Sequence, residues 1–230
     1  GPEIGLQLLM IPEKYGGMGG GAKDSYILTR EMSKICLGIT TAFFAIQLGA
    51  DPLMVGGTVE QKKKWLGAIA EGNALVAYAV TEPGAGSNVA ALRSRAEPTE
   101  LDGRPAYRLN GRKCFITNGS VASWYFVLAR VEDRPTGFIV PADSAGIVRG
   151  PKEINLGQHA SNTVRLTLED VKVSAANRLG EEGDGWLRLA LVENENRIRQ
   201  ALKQMRQSLK EIDQEIEAGS FSFEQTGSPF

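Results

Sequence analysis

Cysteine is scarce in this chain: Cys36 and Cys114 are the only 2 in 230 residues, and each stands among apolar neighbours, far from any metal-ligand or redox spacing. That excludes a disulfide framework and points to free, buried thiols in a reducing compartment. Histidine is scarcer still. The single one, His159, sits in a Gly-Gln-His-Ala-Ser loop without the partners of a nucleophilic triad or a metal site, so it reads as a loop residue and no metal is expected. Neither sign of charge prevails, with 26 basic against 27 acidic residues and a formal net charge of −1. Such a balance gives no field for a polyanion, and the one basic block, Lys62-Lys63-Lys64, reads as the solvated face of a helix, so nucleic acid is excluded as a partner. No apolar run reads as long enough to span a bilayer, and no charged-then-apolar leader opens the chain, which places it in the cytosol or an organelle matrix.

What is present suffices for a folded core. Hydrophobic residues make up 42% of the chain, enough for one large or two small domains. Up to about residue 72 the pattern is helical. Ile27, Leu28, Met32, Ile35 and Cys36 share a face, Thr40 to Leu48 is nearly all apolar, and Thr58 with Gln61 forms a capping box before Trp65, Leu66 and Ile69. The run Gly16 to Gly21 lacks the preceding strand and Lys-Ser/Thr ending of a phosphate loop and reads as a flexible connection. From Leu75 to about Val173 the period becomes that of strands. Asn110-Gly111 predicts a hairpin turn, Arg134 to Gly137 another, and Trp124–Val131, Gly137–Pro141 and Val164–Val173 read as strands of an all-β barrel or sandwich. After Gly185 a helix is predicted to about Ala218, with Gly219 as its stop. Its residues Ile198, Leu202, Met205, Leu209, Ile212 and Ile216 form a narrow apolar seam that requires a partner.

The most informative stretch is Tyr78-Ala-Val-Thr-Glu-Pro-Gly-Ala-Gly-Ser87, where a half-buried strand from Leu75 to Val80 stops in a turn that leaves hydroxyls and bare backbone outward. A tight connection between two elements would look the same. A glycine-rich turn also lets backbone N–H groups approach a carbonyl, a phosphate or a flavin edge.

With that turn set between helical and β regions, the chain resembles the acyl-CoA dehydrogenases, particularly their medium- and short-chain branches. Ala79-Val80-Thr81-Glu82-Pro83-Gly84-Ala85-Gly86-Ser87 fits the family signature. Further blocks agree in order: Ile11-Pro12-Glu13 with Gly16-Gly17, Gln61 to Leu66, Leu109-Asn110-Gly111, Ile116-Thr117-Asn118-Gly119, Gly137 to Val140 and Leu168 to Val173. Across residues 3 to 197 the resemblance implies a multidomain α+β fold. It would have an N-terminal helical domain (1–73), a middle antiparallel β-barrel (74–180), the first helix of a C-terminal helical bundle (181–219) and a tail (220–230). It implies FAD as cofactor, with Tyr78, Val80, Thr81, Gly86, Ser87, Phe115, Ile116 and Thr117 at the flavin, Phe115 standing where many relatives have tryptophan. Substrate contacts would come from Ser87, Ser161, Asn194 and Arg197, and Glu82 would be structural. The implied reaction is α,β-dehydrogenation of an acyl-CoA thioester, with electrons passed to an electron-transferring flavoprotein, in bacterial cytoplasm or mitochondrial matrix.

The resemblance breaks at the base that removes the α-proton. In these enzymes a glutamate comes from the C-terminal helical domain, in some branches directly before the arginine matched by Arg197; here that position is Asn196, which takes no proton at neutral pH. Glu195 is one residue away and on a helix would be rotated by about 100°. Asn88 and Asn162 replace aspartates common among relatives. The chain thus reads as a truncated dehydrogenase unable to turn over alone, covered by a homo-oligomeric partner or a complementing helical chain. A non-catalytic acyl-CoA or flavin-binding module and an acyl-CoA oxidase are the alternative readings.

Overall fold

A computed structural model describes residues 5–180. Asn194, Glu195, Asn196, Arg197 and the seam from Ile198 to Ile216 lie outside the described residues, as does the tail.

The first long helix, α1 (Ala22–Gly56), departs from helical geometry at Cys36 (φ −156°, ψ 105°), so two helical arms meet there. Ile35, expected on the buried face, is 89% exposed because the break turns it outward. By length and composition α1 passes as a membrane span, contrary to the expectation that no run would. It is bent and only partly packed on protein: 28% of its apolar window is buried, with Gly38, Thr40, Ala45, Gly49, Ala50 and Leu53 among its buried residues, and strand β1 (Val76–Ala79) lies against its second arm. Helix α2 (Val59–Ala70) begins as its sequence predicts, with Thr58 and Gln61 satisfying each other's backbone N–H groups at 3.2 and 2.9 Å. Gln61 is also buried, and its amide donates to the carbonyls of Ala176 and Arg178, tying α2 to the segment after the last strand. The glycine run is not a loose connection. Gly17 and Gly20 pack so closely on Ile11 and Leu9 that neither has room for a Cβ.

The β region is one seven-stranded sheet that curls as an open half-barrel, ordered β1-β4-β2-β3-β7-β6, with β5 paired to β4. Its remaining strands are β2 (Arg95–Leu101), β3 (Arg104–Thr117), β4 (Trp124–Val131), β5 (Arg134–Pro141), β6 (Ile147–Lys152) and β7 (Thr163–Ser174). The expectation of an antiparallel sheet is corrected, since β1 runs parallel to β4 and β2 meets β4 in parallel at Arg95 and Arg130. One face of β3, β4, β5 and β7 fills the core with Leu109, Ile116, Tyr125, Val127, Phe138 and Val140.

Both predicted turns lie elsewhere. Strand β3 runs straight through Asn110-Gly111, where the register against β7 shifts by a bulge. Gly111 is required by crowding, because a Cβ would lie 2.6 Å from that of Ser94, and Asn110 exchanges hydrogen bonds with the side chain and backbone of Asp170 at 2.9 Å each. The hairpin closes instead at Asp102-Gly103, both at positive φ (51° and 70°), between the paired Leu101 and Arg104. Likewise Arg134 to Gly137 belongs to β5, and the turn is Glu132-Asp133, with Glu132 at φ 54°.

Candidate functional site

A cavity of about 550 Å³ opens between α1, chiefly its second arm with Thr29 of the first, and the rim of the sheet. Leu37, Thr40, Thr41, Phe44, Ala45 and Leu48 line it at the three- and four-residue spacing of one helix face, and the opposite wall is Tyr78, Thr81, Phe115 and Thr117. The helix hydroxyls are already committed: Thr40 donates to the Cys36 carbonyl at 2.9 Å, and Thr41 lies 3.0 Å from the Leu37 carbonyl and 2.6 Å from Gln158 Oε1. On the sheet side, neither the Thr81 nor the Thr117 hydroxyl has a hydrogen-bond partner among the described residues. Two uncommitted threonine hydroxyls therefore stand beside the Tyr78 phenol on the sheet-side wall of a mostly apolar space.

Phe115 owes its aim to a second bulge in β3. The register against β7 slips between Lys113 and Ile116, and Phe115 takes φ 58°, a conformation that costs a bulky residue about 1–2 kcal/mol. Its ring is 66% exposed at the cavity, while the neighbours Cys114 and Ile116 are buried. A strained aromatic turned out of the core is what a site for a planar ligand would need.

Below the rim lies a buried ion pair. The Lys113 ammonium, 1% exposed, donates to Glu82 Oε1 at 2.7 Å and to the carbonyls of Leu128 at 2.6 Å and Val80 at 3.2 Å. Glu82 also accepts from the N–H groups of Arg93 (2.7 Å) and Ser94 (3.0 Å) and from the Ser94 hydroxyl. Burial pulls the Lys113 ammonium down to about 8 against the opposing influence of Glu82. Burial pushes on Glu82 in the opposite sense, but its bonds to Lys113, Ser94 and Arg93 together hold the carboxyl below its ordinary value. The Pro83–Gly84 turn is closed by paired bonds between Glu82 and Ala85, and open space surrounds the Cα atoms of Gly84 and Gly86.

Of the residues expected at a flavin, the structure gathers Tyr78, Thr81, Phe115 and Thr117 on one wall. Val80 and Ile116 are buried, Ile116 within the sheet's core, so their side chains do not line the space. Gly86 and Ser87 are exposed on the turn outside it. Ser161 is 2% exposed, with its hydroxyl unpartnered, and Asn162 accepts from Ser120. His159 is an exposed loop residue whose Nε2 lies 2.9 Å from the Asn155 carbonyl. Both cysteines are free; Cys114 is buried, whereas Cys36 is half-buried at the bend of α1. The helix wall was missed because Thr40 to Leu48 reads as core, although two adjacent threonines on an apolar face were a legible signal.

The cavity fits a flavin in size and chemistry. Its volume falls in the ordinary range for small-molecule sites, and it offers apolar faces with free donors at one edge. It offers no base for neutral pH. Among its lining residues there is no carboxylate, histidine or lysine, and the Tyr78 phenol is pushed up to about 12 by burial and by Asp51. Asp51, itself raised by burial, is held by Gln47 at 2.6 Å and does not line the cavity. A second, smaller cavity of about 340 Å³ between the N-terminal segment and α1 is walled mostly by apolar side chains such as Leu6, Met32, Ile39 and Phe43.

Comparison with known proteins places both regions. Residues 2–73 match the family described as acyl-CoA dehydrogenase, N-terminal domain, and residues 77–171 match acyl-CoA dehydrogenase, middle domain. The chain is 40% identical over 191 residues to a protein of Caenorhabditis briggsae described as a probable medium-chain specific acyl-CoA dehydrogenase 2, mitochondrial, covering 80% of this chain and 46% of that one. Among solved structures, butyryl-CoA dehydrogenase from Megasphaera elsdenii superposes with a TM-score of 0.72 at 39% identity, over 80% of this chain and 50% of that one. An acyl-CoA dehydrogenase from Bacillus anthracis, complexed with FAD, gives 0.74 at 37% identity, over 80% and 31%. The chain spans about half the length of the curated relatives it matches.

Proposed function

The chain belongs to the acyl-CoA dehydrogenase family, whose N-terminal and middle domains it carries, and from that premise we propose that the cavity between α1 and the sheet rim is one wall of an FAD site for α,β-dehydrogenation of an acyl-CoA thioester. The observation that carries this reading is the pair of unpartnered hydroxyls, Thr81 and Thr117, flanking the outward-turned Phe115. FAD, when bound, supplies the acceptor for the substrate's β-hydride. Thr81 and Thr117 would donate hydrogen bonds to it and stabilise the negative charge it takes up on reduction. Phe115 would pack against it, while Phe44 and Leu48 would help exclude water from the cavity. Gly86 and Ser87, on the exposed turn, contact the cofactor and the thioester end of the substrate.

The α-proton goes to a carboxylate outside the described residues, because nothing lining the cavity can accept it near neutral pH. We therefore expect the isolated 230-residue chain to bind flavin without turning over. In the assembled protein, electrons leave to an electron-transferring flavoprotein, and a second copy or a helical partner covers the open side. Titrating FAD into the purified chain should quench flavin fluorescence and induce visible circular dichroism, and anaerobic butyryl-CoA or octanoyl-CoA should leave the flavin oxidised. Failure to take up FAD would refute the flavin assignment. Bleaching by acyl-CoA would refute the expectation that the 230-residue chain does not turn over alone.

A further inference from the structure

Strand β3 carries a lysine two residues before Phe115, and its charge is buried where the flavin reading has no direct use for it. Three segments converge on that ammonium: the end of β1 through the Val80 carbonyl, the signature turn through Glu82, and β4 through the Leu128 carbonyl. The three protons of the ammonium are matched by these three acceptors, so it is fully engaged. The next residue adds a fourth tie, since the Cys114 N–H donates to the Thr81 carbonyl at 2.9 Å. Consecutive carbonyls, Val80 and Thr81, are thereby both fixed to β3, which settles the direction of the Thr81 side chain. Glu82 extends the clamp across the turn: its bonds to Arg93 and Ser94 close the excursion that carries Gly86 and Ser87.

Stability alone does not call for this arrangement, because a well-packed apolar pair of similar volume commonly serves as well as a buried ion pair, or better. What the pair supplies is direction. We propose that Lys113, with Glu82, is a positioning residue of the flavin site: its ammonium joins the two strand ends of the sheet-side wall and sets Thr81 and Phe115 at the geometry that receives the isoalloxazine. This rests on the flavin reading above and adds to it a residue that touches neither cofactor nor substrate. It acts through the backbone of Val80 and through Glu82.

The test compares the full chain with the double variant Lys113→Met/Glu82→Gln, which removes both charges together and leaves no lone buried ion. Thermal melting, FAD titration by fluorescence quenching and the visible circular dichroism of the bound flavin are read on each. The double variant should melt within a few degrees of the parent, bind FAD roughly tenfold more weakly or worse, as expected when a charge-assisted bond orienting the wall is lost, and show an altered visible dichroic band. Unchanged affinity and an unchanged band in a variant that melts cooperatively would overturn the inference and reduce the pair to a fold contact. Should the double variant show no cooperative melt, Lys113→Met alone carries the test, since Glu82 then keeps both oxygens bonded, Oε2 by the Arg93 N–H and Oε1 by Ser94; an unchanged affinity and band there would overturn the inference equally. A parent chain that takes up no FAD would instead overturn the flavin reading itself.

Discussion

The contact between α1 and β1 fixes the width of the cavity, and one glycine decides it. Gly49 is buried on α1, one residue past Leu48 of the cavity wall, and a Cβ built there would sit 2.3 Å from Val76 Cγ1 and 3.2 Å from Val76 Cβ. Ordinary carbon contacts begin near 3.5 Å, so Gly49→Ala demands a displacement of roughly 1 Å. Val76 cannot absorb it by rotating: it is fully buried, and its branched side chain is stiff at χ1. Overpacking of this kind costs about 1–3 kcal/mol, against about 1 kcal/mol gained from replacing glycine by alanine within a helix. Gly67 on α2 is the internal control, because a Cβ there meets nothing within 4 Å; Gly67→Ala should stabilise by about 0.5–1 kcal/mol. The two variants carry the same chemical change and should shift the melting temperature in opposite senses, separated by roughly 3–9 °C for a domain of this size. Gly49→Ala should also weaken FAD binding, since it moves Phe44 and Leu48 away from Tyr78, while Gly67→Ala should not. Combining Gly49→Ala with Val76→Ala should return about 1–2 kcal/mol relative to the sum of the single changes. If Gly49→Ala stabilised as much as Gly67→Ala, the close approach of α1 to β1 and the cavity width built on it would be wrong.

Two further outcomes follow from the site. Glu82 has a folded-state value below its ordinary 4.5, so its contribution is fully present above that pH and is lost as pH falls below it; Glu82→Gln should flatten the acid limb of a melting-temperature profile by up to one proton, about 1.4 kcal/mol per pH unit. Lys113 works in the other direction. Lowered by burial from 10.5 to about 8, it is protonated in the unfolded chain and neutral in the folded one between those values, so it makes stability rise with pH across that window. A Lys113→Met variant that kept the parent's alkaline slope would contradict this. The second outcome concerns Phe115→Gly, which relieves a left-handed conformation and exposes little new surface. It should hold or slightly raise the melting temperature while weakening FAD binding by about 0.5–1.5 kcal/mol or more, the worth of a lost aromatic face; a marked loss of stability with unchanged FAD affinity would place the ring in the core instead.

How much of this was legible varied with the range of the interaction. The Thr58–Gln61 capping box and the boundaries of β4 were readable because their determinants lie within a few residues. Asn110-Gly111 misled for a physical reason: glycine there answers to Ser94, 17 positions earlier in the chain, and asparagine answers to Asp170, so neither is shaping a turn. Asp102-Gly103 carries the same dipeptide logic and does make the hairpin. The parallel pairing of β1 with β4 could not be read from either strand, since alternation specifies faces and leaves direction open. At the site, the resemblance supplied Tyr78, Thr81, Phe115 and Thr117. The helix wall and Lys113 came only from the fold, because a threonine on an apolar helix and a lysine in a strand ordinarily belong to packing and to solvent.

Two carboxylates near the cavity, Glu82 and Asp51, show why neither suits the role of proton acceptor in the proposed reaction. Glu82 lies in the signature turn, where proximity alone would recommend it, yet four protein donors already occupy its oxygens and hold its carboxyl below the ordinary value against the push of burial. A carboxylate that has exchanged solvent for fixed donors is a weak base, and taking a proton would break the tie to Lys113 on which the wall depends. Asp51 has the opposite character, raised by burial and bonded to a single amide, which is the tuning a base requires, but it stands behind the lining rather than in it. The cavity thus separates two duties that one residue cannot discharge: anchoring the turn demands a carboxylate that never protonates, and removing an α-proton demands one that does. The first is met within the described residues by Glu82, and under the proposed function the second falls to a group outside the cavity's lining.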